Sequence, residues 1–105
     1  MSEAKLESQV VKLCRKLGLL TYKFSSPSQR GVPDRVIMGG GIVFFLELKK
    51  AGCKPTALQK RELKRINQVG IPADWVDNFT DAELIIRRHF RDAVRRVSSP
   101  FLRCE

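Results

Sequence analysis

The run Ile42-Val43-Phe44-Phe45-Leu46, closed by Glu47-Leu48-Lys49-Lys50, constrains this chain more than any other stretch. It is too short to span a bilayer and apolar on both faces, which predicts a buried central strand over residues 42–49. With a period of two, Val43, Phe45, Glu47 and Lys49 share one face. An acid and a lysine at the end of a buried strand are uneconomical as packing. A salt-bridged strand end is the plain reading, and a reactive site is the other.

The residues before it belong to the same unit. Pro33 fixes its own φ and holds Val32 extended. Asp34 then opens a short strand, Arg35 to Met38, and Gly39-Gly40-Gly41 leads into the central one. Phosphate-cradling glycines lead from a strand into a helix. These lie between two strands, so they read as a hairpin turn that sets Asp34 beside Glu47.

Around this hairpin the pattern is regular. Leu6, Val10, Leu13, Cys14 and Leu17 make one face of a helix over 3–17, capped by Ser2 and closed by Gly18. Glu7 sits at the edge of that face, as a solvated boundary acid or as a carboxylate leaning into a site. Residues 19–24 are rich in strand formers. The polar loop 25–31 carries Ser26 and Arg30, which suit either phosphate contact or an ordinary turn. Thr56 caps a second helix, with Leu58, Leu63 (or Glu62), Ile66 and Val69 on its apolar side and Gly70 as its stop. Lys60, Arg61, Lys64 and Arg65 make the other side basic. A strand over 71–76 places Trp75 in the core. Thr80 with Glu83 forms a capping box for a third, arginine-rich helix. The order is helix, three strands, helix, strand, helix: a single-sheet α/β domain whose mixed sheet is flanked by helices.

Composition narrows the chemistry. The chain has 105 residues, enough for one core, and a formal net charge of +9, which favours a polyanionic partner, nucleic acid before acidic membrane. No signal peptide opens it, so it is expected to be intracellular, in the cytoplasm, with no membrane partner. The three cysteines are scattered and the lone His89 lies among arginines, which excludes a zinc site and a nucleophilic triad. What remains is an acidic cluster with a lysine on a basic protein. Mg²⁺ and Mn²⁺ prefer oxygen ligands. Asp34, Glu47 and the Leu48 carbonyl supply them from adjacent strands. Lys49 is placed to orient or deprotonate an attacking water, or to stabilise charge.

Pro33-Asp34 followed by Glu47-Leu48-Lys49 resembles the PD-(D/E)xK motif of restriction-endonuclease-like nucleases. The ordered set of Glu7, Arg30-Gly31-Val32-Pro33-Asp34-Arg35, Phe45-Leu46-Glu47-Leu48-Lys49 and Pro55-Thr56-x-x-Gln59 resembles the VRR-NUC family, in its stand-alone phage or bacterial form. The resemblance covers roughly residues 3–88. It implies a restriction-endonuclease-like core of αβββαβα order over 1–90, with 91–105 as a basic extension packed on the body or on a second subunit. It implies a metal-dependent DNA nuclease with Asp34, Glu47, Lys49 and Gln59 as catalytic residues. The metal would be held by Glu7, Asp34, Glu47 and Leu48. Ser26, Arg30, Arg35, Lys50 and Lys60 complete the expected set as DNA contacts. For stand-alone members it further implies a homodimer that resolves four-way (Holliday) junctions. The alternatives are a flap, nicking or restriction-like duplex endonuclease, and a non-catalytic nucleic-acid-binding module.

Overall fold

The computed structural model describes residues 1–91; the expected packing of the rest of the 91–105 extension lies outside them. The element order is α1 (Glu3–Lys16), β1 (Leu20–Lys23), β2 (Arg35–Gly39), β3 (Ile42–Leu48), α2 (Ala57–Gln68), β4 (Ala73–Val76) and α3 (Phe79–His89). This is the αβββαβα order expected from the sequence. The four strands form one mixed sheet in the order β1-β2-β3-β4. The first two pairings are antiparallel and β3–β4 is parallel. The parallel pair requires a crossover, and α2 provides it.

The hairpin between β2 and β3 turns on two residues, Gly40 at φ 57° and Gly41 at φ 80°. A two-residue turn with positive φ at both positions matches the right-handed twist of its strands. It fixes a register in which Arg35 faces Leu46 and Met38 faces Val43.

Alternation then separates the two faces. Ile37, Phe44, Leu46 and Leu48 point into a core completed by Leu6, Val10, Leu13 and Cys14 of α1, with Ala82 and Ile86 of α3 and Phe90 just after it. Burial raises the Cys14 thiol to about 11, against the opposing charge of Arg35, so it packs as a small neutral side chain. On the other face, Val36, Met38, Val43 and Phe45 are only partly covered. Phe24 meets Phe45 edge-on there, with ring centroids 5.1 Å apart. His89 stacks on Phe44 at 4.5 Å, a packing position rather than a catalytic one.

Three local expectations are corrected. Trp75 is half-buried and lies outside the core, because it pairs with Glu47 and shares the face turned away from the core, while its neighbour Val76 is buried in it. Asn78, not Thr80, caps α3: its side chain accepts from the Asp81 N–H at 2.8 Å, which starts the helix two residues earlier. Leu58 and Val69 are exposed, and α2 instead buries Leu63 beside Glu62, whose carboxylate Arg65 holds at 3.0 Å.

Candidate active site

The end of β3 carries an unusual carboxylate. Alternation sends Glu47 away from the main core, yet its side chain is 2% exposed. One oxygen, Oε2, accepts from Gln59 Nε2 at 3.1 Å and lies 3.5 Å from Lys49 Nζ. The other, Oε1, is buried with no hydrogen-bond partner. Burial, and then the Asp34 charge, push the Glu47 carboxyl up to about 7, although Lys49 opposes the shift.

Gln59 is aimed by the start of α2. Its amide oxygen accepts from the Thr56 N–H at 2.9 Å, while the Thr56 hydroxyl accepts from the Gln59 N–H at 3.2 Å. This reciprocal cap engages the carbonyl end of the amide. The NH₂ end is thereby directed at Glu47, and a flipped amide would lose both bonds.

Asp34 immediately precedes β2, one position beyond the Arg35–Leu46 pair and so opposite Glu47. Its Oδ2 accepts from the Leu48 N–H at 2.9 Å, continuing the ladder with a side chain where the strand has ended. Its carbonyl accepts from the Phe24 N–H at 2.7 Å. The acid is therefore tied to both neighbouring strands.

Glu7 and Arg35 meet on the opposite face. Arg35 Nη1 donates to Glu7 Oε2 at 3.0 Å, and its Nε and Nη2 reach the Thr21 hydroxyl at 3.3 and 3.2 Å. Arg35, expected as a DNA contact, is 7% exposed, with its guanidinium turned inward onto Glu7 and Thr21. Glu7 still reaches the site region. With Glu3, Ala4, Lys23, Asp34 and Leu48 it lines a cavity of about 180 Å³ beneath the N-terminus of α1.

Of the other expected contacts, Arg30, Lys50 and Lys60 are exposed and Ser26 is half-buried. Gly31 has φ 80°, and a Cβ there would lie 3.0 Å from the Leu58 carbonyl oxygen. The close approach seats the loop of Ser26 and Arg30 on the first turn of α2, next to Gln59. Sequence reasoning missed Lys23 and Thr21. Both sit on an edge strand with no motif, and only the pairing of β1 with β2 brings them to Arg35 and Asp34.

The donors suit a hard divalent cation. They are all oxygens, and buried Glu47 Oε1 is an unused acceptor beside the Asp34 charge. Among the described residues no group of three or more His, Cys, Asp or Glu is gathered for a metal. Two carboxylates, Asp34 and Glu47, with the Leu48 carbonyl beside them are the kind of sparse oxygen set that Mg²⁺ or Mn²⁺ takes when water and phosphate complete its shell. Glu7 stands across the cavity, paired with Arg35, apart from Glu47.

Known proteins share the sequence and the fold. No family model matches the chain. A relative from Acyrthosiphon pisum secondary endosymbiont phage 1, named "Putative nuclease p44", is 44% identical over 69 residues, which cover 65% of this chain and 74% of the relative. A solved structure described as "VRR_NUC domain" superposes with a TM-score of 0.77 at 25% identity, over 85% of this chain and 98% of the other. The chain belongs to the VRR-NUC family. A second solved structure, "VRR_NUC domain protein", shares the fold with a TM-score of 0.69 at 16% identity, over 87% and 89% of the two chains. The VRR-NUC core accounts for the mixed sheet and its flanking helices. No helix among the described residues is long and apolar enough to cross a membrane.

Proposed function

We propose that this VRR-NUC protein is a Mg²⁺- or Mn²⁺-dependent, structure-specific DNA endonuclease that acts as a homodimer on four-way junctions. The observation that carries the hydrolytic reading is Glu47: a buried carboxylate with one oxygen oriented by Gln59 and Lys49 and the other unpartnered, across from Asp34. An acceptor buried without a donor is satisfied by a proton shared with Asp34 or by a ligand, and a cation would replace that proton.

Asp34, Glu47 and the Leu48 carbonyl would hold the cation, with Glu7 on the far wall. When bound, the divalent ion supplies Lewis acidity toward the phosphate and lowers the pKa of water. The protein's own part is positional. Gln59 keeps Glu47 in one rotamer, and the Leu48 N–H does the same for Asp34. Lys49, on the strand face of Glu47, orients the attacking water and offsets the negative charge that builds on the phosphate oxygens as the 3′ oxygen leaves. The exposed cations Lys50, Lys60, Arg61 and Lys64 hold the backbone of the DNA beside the acids, with Arg30 and Ser26 on the adjoining loop. A homodimer would present two such sites about a twofold axis, which suits paired incisions in a branched duplex.

The test is a cleavage map. Labelled four-way junction, flap, nicked and plain duplex DNA are incubated with the protein in Mn²⁺, Mg²⁺ or EDTA. Paired symmetric nicks confined to the junction, and lost in EDTA, are expected. Cuts on flaps or plain duplex would replace the substrate assignment. Binding without cleavage in either metal would reduce the protein to a binding module.

A further inference from the structure

We propose that Lys23 is a substrate-phosphate contact in the cavity beside Asp34; this rests on the nuclease reading and adds a residue to it. Lys23 ends β1, directly opposite Arg35. The next N–H, that of Phe24, is bonded to the Asp34 carbonyl, so the Lys23 backbone is fixed one strand away from the acid. Its side chain is the single basic one lining the cavity, against the carboxylates of Glu3, Glu7 and Asp34.

The two cations bonded to acids at these strand ends are already engaged. Arg35 is held by Glu7 and Thr21, and Lys49 by Glu47. Lys23 makes no ion pair or side-chain hydrogen bond among the described residues and is exposed to solvent. A phosphodiester entering a cavity with three carboxylates on its walls meets repulsion that a free cation must offset. Lysine is well suited to do so, because it carries a compact charge on a flexible stem that can follow a phosphate oxygen. Edge strands also carry lysine simply to deter pairing with another chain, and that role needs no phosphate.

The two roles separate in salt dependence and kinetics. Binding of labelled duplex and junction DNA is measured in EDTA between 50 and 200 mM salt, roughly the range over which phosphate contacts are lost. Cleavage is measured in Mn²⁺. Lys23→Ala is expected to reduce the log–log salt slope by about 0.9, one phosphate contact, and to raise KM about tenfold. Lys23→Arg restores both. Lys12→Ala removes an equal charge from α1, in the groove against α3, and leaves KM unchanged. Wild-type slope and KM in Lys23→Ala, or the same losses in Lys12→Ala, would overturn the assignment and leave Lys23 as an edge guard. If the wild-type protein cleaves nothing, the nuclease reading fails, while the slope in EDTA still decides whether Lys23 meets phosphate.

Discussion

Each face of the sheet holds one acid–base pair, and the two are built differently. On the α1 face, Arg35 grips Glu7 at 3.0 Å and spends its remaining donors on Thr21. On the α2 face, Lys49 stands 3.5 Å from Glu47, whose second oxygen has no partner. The first pair resembles a strut, since a planar guanidinium can satisfy several acceptors at once. The second keeps binding capacity in reserve, which is costly for stability and useful to a ligand. Satisfaction of the acid, more than its burial, is what differs between the two pairs.

The largest effect that would break this comparison lies in cleavage. Asp34→Asn, Glu47→Gln and Lys49→Ala are each expected to lower the cleavage rate by about 10³-fold or more while DNA binding persists in a gel-shift assay. Full activity in Glu47→Gln or Lys49→Ala would remove the α2-face pair from the chemistry, and full activity in Asp34→Asn would remove the acid opposite it. The strut is tested by urea denaturation. Arg35→Met leaves Glu7 without its cation and is expected to cost about 2–3 kcal/mol, much of it recovered in Arg35→Met with Glu7→Leu. A neutral single substitution would mean that the α1-face pair holds nothing together.

The pH response of the reserve pair has a definite sign. Between the ordinary carboxylate value of 4.5 and about 7, folded Glu47 retains a proton that the unfolded chain has released. Stability therefore falls as pH rises through that window, by on the order of 3 kcal/mol, and is flat above it. In EDTA, Glu47→Gln is expected to abolish this decline; an unchanged pH profile would place the titration elsewhere. The smallest effect is at the cap. Thr56→Ala is expected to cost about 1 kcal/mol and to lower cleavage a few-fold through Gln59, while Thr56→Ser restores both.

The hairpin was legible in the sequence because three local signals agreed: Pro33, the glycine triplet, and an apolar run of strand length. The mixed sheet followed from element order. Asp34, Glu47, Lys49 and Gln59 were legible as a set through spacing and resemblance. The ion pair of Arg35 with Glu7 was not: an arginine beside a motif acid reads as a phosphate ligand, and only the strand register that sends it to the α1 face brings the pair together. Lys23 was invisible because its significance depends on a strand pairing and on a helix distant in sequence. Asn78 displaced Thr80 as a cap because either residue type can begin a helix, and β4 ended early enough for the first to do so. Trp75 was misplaced because size suggested burial, whereas its pairing with Glu47 puts it on the face away from the core.

The Leu48 amide offers a consequence of the Asp34 hydrogen bond. That N–H is the last rung on the β2 side of β3, and it points at a carboxylate rather than a peptide carbonyl. In a nitrogen–proton correlation spectrum its resonance reports the charge on Asp34 directly. Protonation, a cation, or Asp34→Asn should each move it, while the amide of Phe44 in the middle of the strand stays in place. The molecule thus carries an intrinsic gauge of its own site, readable without substrate and before any bond is cut.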